Sequence, residues 1–527
     1  MSTAEKAGAT GASATSGTER RPVAVIDMGS SAIRLVVAEL DTEGSWRRLD
    51  RAERPVPLGK DVFLSGQLGP ETVRQAIKIL AGFRELIRGW QIPESNVRVI
   101  ATSAIREARN RDTFIDRVFT RTGFRVEIVE GIEENHLTYL AVQHTLRAQK
   151  QKFARSSTMI LEVGGGTTEL MMLKQGKVVA AHSLRLGTVR IEQQVLATGE
   201  LGAQMREYLR ESVRVTTEIL DAELPLKKVH LFLAVGGDAR LAAIAAGSTK
   251  DNRFAVIRKA DFEALLDRLQ KMSRDEIVRE LGITYNEADG LVPALFIYQL
   301  FLDATSATEM VVPDVSIREG VLVEFATGTD PAVERELYSQ VVASAMSLGR
   351  KYHFDEQHAV HVSRLSLQLF DQLQSEHGMD EHSRMVLEVG AILHDIGNYI
   401  RSSGHHKHGQ YIVANSEIFG LSRPDILVVS HLVRYHRKAL PSAAHVSYAA
   451  LRRENRVRVL KLAAILRVAD ALDRGHSQRI ASVRVERQEE NLLLHCEHRG
   501  DITISRNGMA HKANLFEDVF GYKVYVV

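Results

Sequence analysis

The pattern that decides the fold lies in TMILEVGGGTTELMML, residues 158–173. Two apolar runs flank three consecutive glycines, which predicts a strand, a tight turn and a second strand. Glycines let the backbone approach a ligand closely and turn its N–H groups toward an anion. Two carboxylates beside the turn, Glu162 and Glu169, suit a hard cation. The stretch therefore predicts either a plain hairpin turn or a phosphate pocket with a cation beside it, lined by Gly164, Gly165, Gly166 and Thr167.

A second stretch, VAVIDMGSSAIRLVVA at residues 23–38, repeats this design. A predicted strand ends in Asp27, a turn follows at Gly29, Ser30 and Ser31, and Arg34 lies in the strand that resumes. Taken alone, this stretch is equally compatible with a surface hairpin. The pairing of the two stretches indicates a duplicated fold, in which two phosphate-binding hairpins face each other across a cleft.

Two further junctions carry groups that suit an anion. Hydroxyls at Thr102 and Ser103 end a predicted strand and precede Arg106, whose guanidinium can bind phosphate oxygens in two places. A solvated arginine on a helix is the alternative. Gly236 and Gly237 precede a predicted helix, and a helix N-terminus favours anions.

The adjacent carboxylates Glu133 and Glu134 stand at another predicted strand-to-helix junction. Negative charge in a first helical turn is favourable in itself. The same position can also place a general base in the cleft. Both interpretations remain open at this point.

The composition bounds the class of protein. At 527 residues the chain is too long for one core, and roughly three domains are expected. The net charge of +2 excludes a polycation, so an anionic partner must meet a local patch. A single cysteine, Cys496, excludes an internal disulfide and fits a reducing compartment. No run reaches the roughly 18 apolar residues of a membrane span, and residues 1–21 are expected to be a disordered tail without a secretory signal.

The secondary-structure pattern changes along the chain. Strands and helices alternate over residues 22–325, which indicates an α/β architecture, and the absence of a G-x-x-x-x-G-K-[ST] motif excludes a P-loop enzyme. From about residue 330 the pattern is almost wholly helical. Residues 480–527 alternate in strand fashion, including residues 502–505, and predict a small appendage without chemistry of its own.

Histidine is concentrated in the helical part, where 13 of the 20 histidines lie between His353 and His476. Histidine and aspartate spaced across a helical bundle can converge on a divalent metal, although any single one is more often a core or surface residue. The candidate ligands are His358, His394, Asp395 and Asp470, with His405 and His436 in the same ordered set. A basic run at residues 452–467, ending in Arg467, predicts either a solvated face or a track for a polyanion.

Six ordered motifs resemble those of the exopolyphosphatase and guanosine pentaphosphate phosphohydrolase family, Ppx/GppA. They are AVIDMGSSAIRL (24–35), ATSAIREARN (101–110), GIEEN (131–135), LEVGGGTTEL (161–170), LGTVR (186–190) and AVGGDA (234–239). The first, fourth and sixth also look like the phosphate and adenosine loops of the actin-like ATPase fold. The helical part resembles the HD phosphohydrolase domain, so the resemblance covers about residues 22–475.

The resemblance implies a fold and its division into domains. Two actin-like, ribonuclease H-like lobes are expected around a cleft, at residues 22–144 and 145–329. An all-α HD-type domain is expected at residues 330–479, and a small β or α/β appendage at residues 480–527.

The resemblance also implies an activity, which is hydrolysis of the terminal phosphoanhydride of inorganic polyphosphate or of pppGpp with Mg²⁺. Glu134 would activate the water, and Glu162 and Glu169 would lie at the metal. Glu162 stands where the family normally has aspartate, so the metal geometry is expected to differ. The implied phosphate-binding residues are Asp27, Gly29, Ser30, Ser31, Arg34, Thr102, Ser103, Arg106, Gly164, Gly165, Gly166, Thr167, Gly236 and Gly237.

Several functions follow as hypotheses. The first is a processive exopolyphosphatase, and the second is a pppGpp hydrolase that uses the same site. A non-catalytic sensor of polyphosphate or an alarmone, a second metal centre in the HD-type domain that is itself active, and a kinase are further alternatives. By analogy with the family we expect a homodimer, and the single cysteine fits a cytoplasmic location. We expect neither nucleic acid nor a membrane as a partner.

Overall fold

A computed structural model describes residues 20–41, 45–146, 155–196, 203–223, 225–251, 253–327 and 331–527. The predicted disordered tail lies outside the described residues, apart from its last two positions. Within the described ranges no helix is both long enough and apolar enough to cross a membrane.

The strands are β1 Arg21–Met28, β2 Ala32–Leu40, β3 Trp46–Pro55, β4 Val97–Ala101, β5 Val126–Ile128, β6 Ser157–Val163, β7 Thr168–Lys174, β8 Lys177–Leu184, β9 Val229–Val235, β10 Ser248–Asp251, β11 Phe254–Arg258, β12 Glu309–Pro313, β13 Ile480–Gln488, β14 Asn491–His498 and β15 Lys523–Val526. The helices of the two lobes are α1 Leu58–Ser65, α2 Pro70–Gly89, α3 Ser103–Glu107, α4 Arg111–Thr122, α5 Gly131–Thr145, α6 Thr188–Leu196, α7 Ala203–Glu223, α8 Gly237–Ala246, α9 Lys259–Leu269, α10 Arg274–Leu281, α11 Tyr285–Ala304 and α12 Ile317–Thr327. The later helices are α13 Pro331–Lys351, α14 Glu356–Gln372, α15 Gln374–His377, α16 Glu381–Leu393, α17 His405–Ala414, α18 Arg423–Tyr435, α19 Val446–Ala449, α20 Arg453–Leu472, α21 Thr503–Lys512 and α22 Asn514–Phe520.

Two sheets share one topology, as the paired hairpins predict. The first sheet has the order β3-β2-β1-β4-β5, and the second contains the equivalent order β8-β7-β6-β9-β12, extended by β11 and β10. In each sheet a hairpin partner is antiparallel and the next strand is parallel, β2 and β4 beside β1, and β7 and β9 beside β6. The fold is therefore the duplicated α/β, actin-like arrangement.

The two lobes exchange helices. Helix α5 follows the first sheet in sequence, yet its Tyr139 and Val142 belong to an apolar cluster with strands of the second sheet. Helix α12 follows the second sheet, yet its Val321 and Leu322 pack against the first. The two helices approach closely, because a Cβ added at Gly320 would lie 2.1 Å from the carbonyl oxygen of Leu137. The contacts of α5 and α12 therefore cross the domain boundary predicted at residue 144. The predicted domain boundaries themselves stay a prediction.

Residues 331–527 form a helical region with one apolar core. That core joins α14, α16, α18 and α20 to Val483 and Leu494 of the small sheet β13-β14-β15. The appendage is thus a continuation of the helical core. The strand predicted at residues 502–505 is wrong, because Thr503 begins α21 and its N–H is held by the Asp501 carboxylate at 2.9 Å.

Candidate active site

Three loops from both lobes meet at the carboxyl ends of β1, β4 and β6. The Ser30 and Ser103 hydroxyl oxygens lie 3.4 Å apart. A Cβ added at Gly165 would lie 2.9 Å from the Cβ of Ser30, and one at Gly166 would lie 2.2 Å from Ser103 Oγ. The glycine turn, the first loop and the end of β4 are therefore in contact, and only glycine fits between them.

The LGTVR segment supports the glycine turn from behind. The N–H groups of Thr188 and Val189 donate to the carbonyls of Gly164 and Gly165 at 3.0 and 2.9 Å. Arg190 Nε donates to Gly166 O at 2.8 Å, and its guanidinium lies 4.1 Å from the centroid of the Phe63 ring. These bonds occupy the carbonyls of the turn and fix its shape.

Helix α5 separates the roles of the two adjacent glutamates. Glu133 accepts a hydrogen bond from the Glu130 N–H at 3.0 Å and so caps the helix. Glu134, one residue on, accepts from Arg106 Nη1 at 2.6 Å, and both side chains are about seven-eighths buried. Of the pair, Glu134 is therefore the residue that meets the predicted phosphate-binding arginine.

Burial raises the pKa of the Glu134 carboxyl to about 7, while the charge of Arg106 opposes the rise. Burial also raises the pKa of Glu169 well above its ordinary value, and the negative charge of Glu134 adds to this effect. The pKa of Glu162 is likewise raised by burial. The cleft thus holds three carboxyl groups whose ionised form is disfavoured mainly by burial.

The two carboxylates predicted for the metal are held by neutral hydrogen-bond donors. Glu169 accepts from Asn135 Nδ2 at 3.1 Å and from Ser183 Oγ at 2.7 Å. Glu162 accepts from Thr138 Oγ1 at 2.6 Å. Glu162 and Glu169 are direct partners across the β6–β7 hairpin, which places both side chains on one face of the sheet.

The carboxylate oxygens of Glu162 and Glu169 are of the donor type that Mg²⁺ prefers. Among the described residues, however, no three cleft carboxylates form a group with ligand atoms within 4.8 Å of one another. Mg²⁺ commonly binds through one or two carboxylates, substrate phosphates and water. The residues present therefore fit an ion that is held jointly with a phosphate ligand.

Asp27 and Arg34 are held by charged partners. Asp27 Oδ2 lies 3.0 Å from Arg318 Nη1, and this pair is almost fully buried. Arg34 Nη2 lies 2.9 Å from Glu53 Oε1, and Arg34 Nη1 lies 3.3 Å from the position of a Cβ at Gly29. Arg318 is a site residue that the sequence did not assign, although its SIREG segment follows the last strand of the second lobe.

The Gly236–Gly237 junction lies beside the glycine turn. Gly236 has φ +120°, and a Cβ there would lie 3.9 Å from Glu162 Cγ, whereas a Cβ at Gly237 would meet open space. Burial raises the pKa of the neighbouring Asp238 to about 6, against the effects of Arg240 and Arg34. The structure thus brings the first loop, the β4 end, the glycine turn and this junction to one cleft.

The helical region also reaches helix α5. The fully buried Phe419 ring contacts Tyr139 edge-on with a centroid separation of 5.3 Å and lies 5.6 Å from the His136 ring. Gln340 Nε2 donates to Tyr139 Oη at 2.9 Å, and Gln340 Oε1 accepts from the Val178 N–H of β8 at 2.9 Å. The helix that carries Glu134 is therefore packed against all three parts of the chain, a contact that the sequence did not predict.

The four predicted ligands of the helical region lie close together. His358, His394 and Asp470 form one group with ligand atoms within 4.8 Å of one another, and Asp395 groups with His405 and His436.

The basic run at residues 452–467 is not a continuous track. Arg467 is 1% exposed and donates to the Tyr435 and Lys512 carbonyls at 3.1 and 2.9 Å. Arg458 pairs with Asp425 at 3.1 Å, and Lys461 donates to His377 O at 2.7 Å. The prediction of a surface run is wrong at Arg467, since helix α20 buries this part of its length in the core.

Two lobes of the same topology, with loops of both lobes meeting at their junction, define the actin-like class of proteins. An exopolyphosphatase from Cytophaga hutchinsonii shares this fold with a TM-score of 0.53 and 20% identity, over 58% of this chain and 98% of its own. The chain belongs to the Ppx/GppA phosphatase family, which matches residues 36–327, and residues 342–503 match Ppx/GppA phosphatase domain III. It is a phosphoanhydride hydrolase of this family.

Curated relatives extend over most of the chain. Guanosine-5′-triphosphate,3′-diphosphate pyrophosphatase from Photobacterium profundum is 23% identical over 480 residues, covering 87% of this chain and 89% of its own. The protein of the same name from Vibrio parahaemolyticus is 24% identical, covering 84% of this chain and 86% of its own.

Proposed function

We propose that the chain releases orthophosphate from the 5′-triphosphate end of guanosine 5′-triphosphate 3′-diphosphate. The observation that carries the reaction type is the position of Glu134, which has a pKa near neutrality and lies against Arg106 beside the phosphate loops. Support for the substrate comes from the relatives with that name, which match both the lobes and the helical region.

The chemistry assigned to the cleft is direct hydrolysis. Glu134 accepts a proton from a water molecule, whose oxygen attacks the terminal phosphorus while the bond to the bridging oxygen breaks. The N–H groups of residues 165 and 166, the Ser30 and Ser103 hydroxyls and Arg106 bind the phosphate oxygens. When Mg²⁺ is bound, held by Glu162 and Glu169 together with the substrate, it offsets negative charge on the phosphates.

Inorganic polyphosphate is the second candidate substrate, although it is the first hypothesis when the sequence is considered alone. The same cleft chemistry applies to its terminal phosphate, and the fold neighbour from Cytophaga hutchinsonii is named an exopolyphosphatase. The basic run that favoured a long polyanion gives less support, because Arg467 is buried and Arg458 is paired with Asp425. We therefore place the guanosine substrate first.

The test compares orthophosphate release from pppGpp and from long-chain polyphosphate by the full chain with Mg²⁺. Preference for polyphosphate would contradict the proposed substrate, and binding without turnover at saturating Mg²⁺ would favour the sensor hypothesis. Glu134→Gln is expected to lower turnover by about 10²–10⁴-fold, because it removes the base. Glu133→Gln is the matched control, since Glu133 caps the helix and is expected to leave turnover intact. Equal activity of both variants would contradict the role of Glu134 as the general base.

The proposal also covers a second metal site, the oligomeric state and the cellular location. A second divalent cation is proposed at His358, His394, Asp395 and Asp470. Pairing into a homodimer is proposed from the family analogy and is measured by light scattering during size-exclusion chromatography. A cytoplasmic location is proposed from the single cysteine and is tested by cell fractionation.

A further inference from the structure

One buried stripe of helix α5 carries two polar side chains. Gly131, Asn135 and Thr138 follow one another at intervals of four and three residues, so they lie on the same side of the helix. The side chains of Asn135 and Thr138 are fully buried. Both reach strands of the second sheet, where the two carboxylates predicted for the cation lie.

Asn135 uses its amide nitrogen to hold Glu169. Its Nδ2 donates to Glu169 Oε2 at 3.1 Å and to the carbonyl of His182 at 3.3 Å. The reversed amide would set an oxygen against a carboxylate and a carbonyl, so the donor role is fixed. Asn135 Oδ1 is fully buried and has no hydrogen-bond partner among the described residues. Because a buried carbonyl without a donor destabilises a fold, packing alone does not account for an amide at this position.

Thr138 supports the other carboxylate from the same stripe. Its Oγ1 donates to Glu162 Oε2 at 2.6 Å. Gly131, at the start of the stripe, leaves room for the second partner of Glu169. A Cβ at Gly131 would lie 2.3 Å from Ser183 Oγ, the atom that donates to Glu169 Oε1. One side of α5 therefore meets both predicted cation ligands.

The donors on these carboxylates are uncharged. Glu169 accepts from an amide and a hydroxyl, and Glu162 accepts from a hydroxyl. A guanidinium or an ammonium would neutralise a carboxylate, whereas an uncharged donor orients it and leaves its charge for a cation. Carboxylates that bind metals are commonly oriented by such outer hydrogen bonds.

We propose that Asn135 and Thr138 are positioning residues for the cation of the cleft, each fixing one of the two carboxylates that would hold Mg²⁺. The inference rests on the proposed hydrolysis in the cleft and applies to either candidate substrate. Glu134 projects from a neighbouring side of the same helix toward Arg106. Helix α5 would thus hold the base and the cation ligands in one fixed arrangement.

The test measures how Mg²⁺ supports the binding of inorganic imidodiphosphate by the full chain. The P–N–P link of this probe replaces the phosphoanhydride that both candidate substrates share, and it resists hydrolysis. Titration calorimetry at increasing Mg²⁺ gives the concentration at which the gain in affinity is half complete. Asn135→Ala removes the amide, and Thr138→Val replaces the hydroxyl with a methyl group of similar shape. Each should raise this concentration by about 10–100-fold.

Two further variants are expected to behave like the wild type. Thr138→Ser keeps the hydroxyl and should restore the Mg²⁺ requirement. Thr158→Val is the matched control, because Thr158 is equally buried in β6 and its hydroxyl has no partner among the described residues. Circular dichroism establishes that each variant is folded. If Asn135→Ala fails to fold, the Thr138 pair decides the inference.

An unchanged Mg²⁺ requirement in Asn135→Ala and Thr138→Val would overturn the inference. A loss of affinity that is the same with and without Mg²⁺ would also overturn it, since that result indicates damaged packing. Glu162→Gln distinguishes this failure from a failure of the proposed function. If only Glu162→Gln raises the requirement, the positioning role alone is wrong. If Glu162→Gln also leaves it unchanged, the cation is not held in the cleft and the proposed chemistry is wrong as well.

Discussion

Glu133 and Glu134 differ in role because successive residues of helix α5 project in different directions around the helix axis. Glu133 bonds back to the backbone of Glu130, whereas Glu134 reaches Arg106. A helix N-terminus favours either carboxylate, so the sequence leaves both roles open. Only the packing of α5 against the sheets decides which side chain enters the cleft.

The pH dependence of turnover follows from Glu134. Burial raises its pKa to about 7, so the carboxyl is protonated below that pH and unable to accept a proton from water. We expect kcat/KM to rise with pH up to about 7 and then to level. Arg106→Gln removes the charge that opposes the rise in the pKa, and should move the inflection to higher pH. Arg117→Gln, on the exposed face of α4, is the control, and an inflection shared by all three proteins would contradict the assignment.

Local patterns mark the predicted phosphate loops but not their long-range partners. Glycines, hydroxyls and carboxylates at strand ends mark Ser30, Ser103, Gly166 and Glu169 without knowledge of the fold. Arg318 contacts Asp27 across 291 positions, and an arginine on an amphipathic helix has no local feature that reveals such a partner. Ser183 likewise reaches Glu169 only because β8 pairs with β7.

At the scale of elements, the glycine turn makes a very close contact between the lobes. A Cβ at Gly166 would lie 2.2 Å from Ser103 Oγ and 2.5 Å from Phe63 Cζ. Gly166→Ala is therefore expected to lower the free energy of unfolding by about 1–3 kcal/mol through overpacking. It should also reduce turnover, because the loops must separate.

Gly82→Ala is the control for this substitution. Gly82 lies on the exposed side of α2, and an added Cβ meets nothing within 4 Å. Alanine there is expected to stabilise the chain by about 0.5–1 kcal/mol. Urea denaturation of the three proteins measures both effects, and equal midpoints for Gly166→Ala and wild type would refute the contact.

Helix α20 shows where charge patterns mislead. Its arginines suggest an exposed face, yet the helix runs through the core of the helical region, and Arg467 satisfies buried carbonyls. Sequence alone does not distinguish a solvated guanidinium from one that closes a buried hydrogen-bond network. The alternation at residues 502–505 fails for a similar reason, since a local hydrogen bond from the Thr503 N–H to the Asp501 carboxylate outweighs a short period-two pattern.

At the scale of the whole molecule, the duplicated lobes follow from the sequence because the two hairpin motifs are repeated in it. The exchange of α5 and α12 between the sheets does not, because helix packing depends on surfaces far apart in the chain. The contact of the helical region with α5 is another long-range feature of this kind.

Phe419 tests that contact. The ring is fully buried and contacts the rings of His136 and Tyr139, and the Phe419 N–H donates to Ser344 Oγ at 3.0 Å. Phe419→Ala is expected to cost about 3–5 kcal/mol of unfolding free energy, because it leaves a cavity at the junction of the three parts. Phe119→Ala, at a ring that is 46% exposed, should change it by less than about 0.5 kcal/mol. Thermal unfolding of both variants decides this, and equal losses would contradict the packing role of Phe419.

The hydrogen bond between Gln340 and β8 limits what can be learned from truncating this protein. The Cytophaga hutchinsonii fold neighbour is matched over 98% of its length by 58% of this chain. Its fold therefore forms without a counterpart to the rest of this chain. Here, deletion from residue 331 onward would strip the Val178 N–H and the Tyr139 hydroxyl of their Gln340 partners. A truncated chain would then lose activity through damage to helix α5, which carries the proposed base Glu134, as readily as through a lost function of the helical region. Point substitutions within the intact chain are therefore the sound route to separating the contribution of the cleft from that of the helical region.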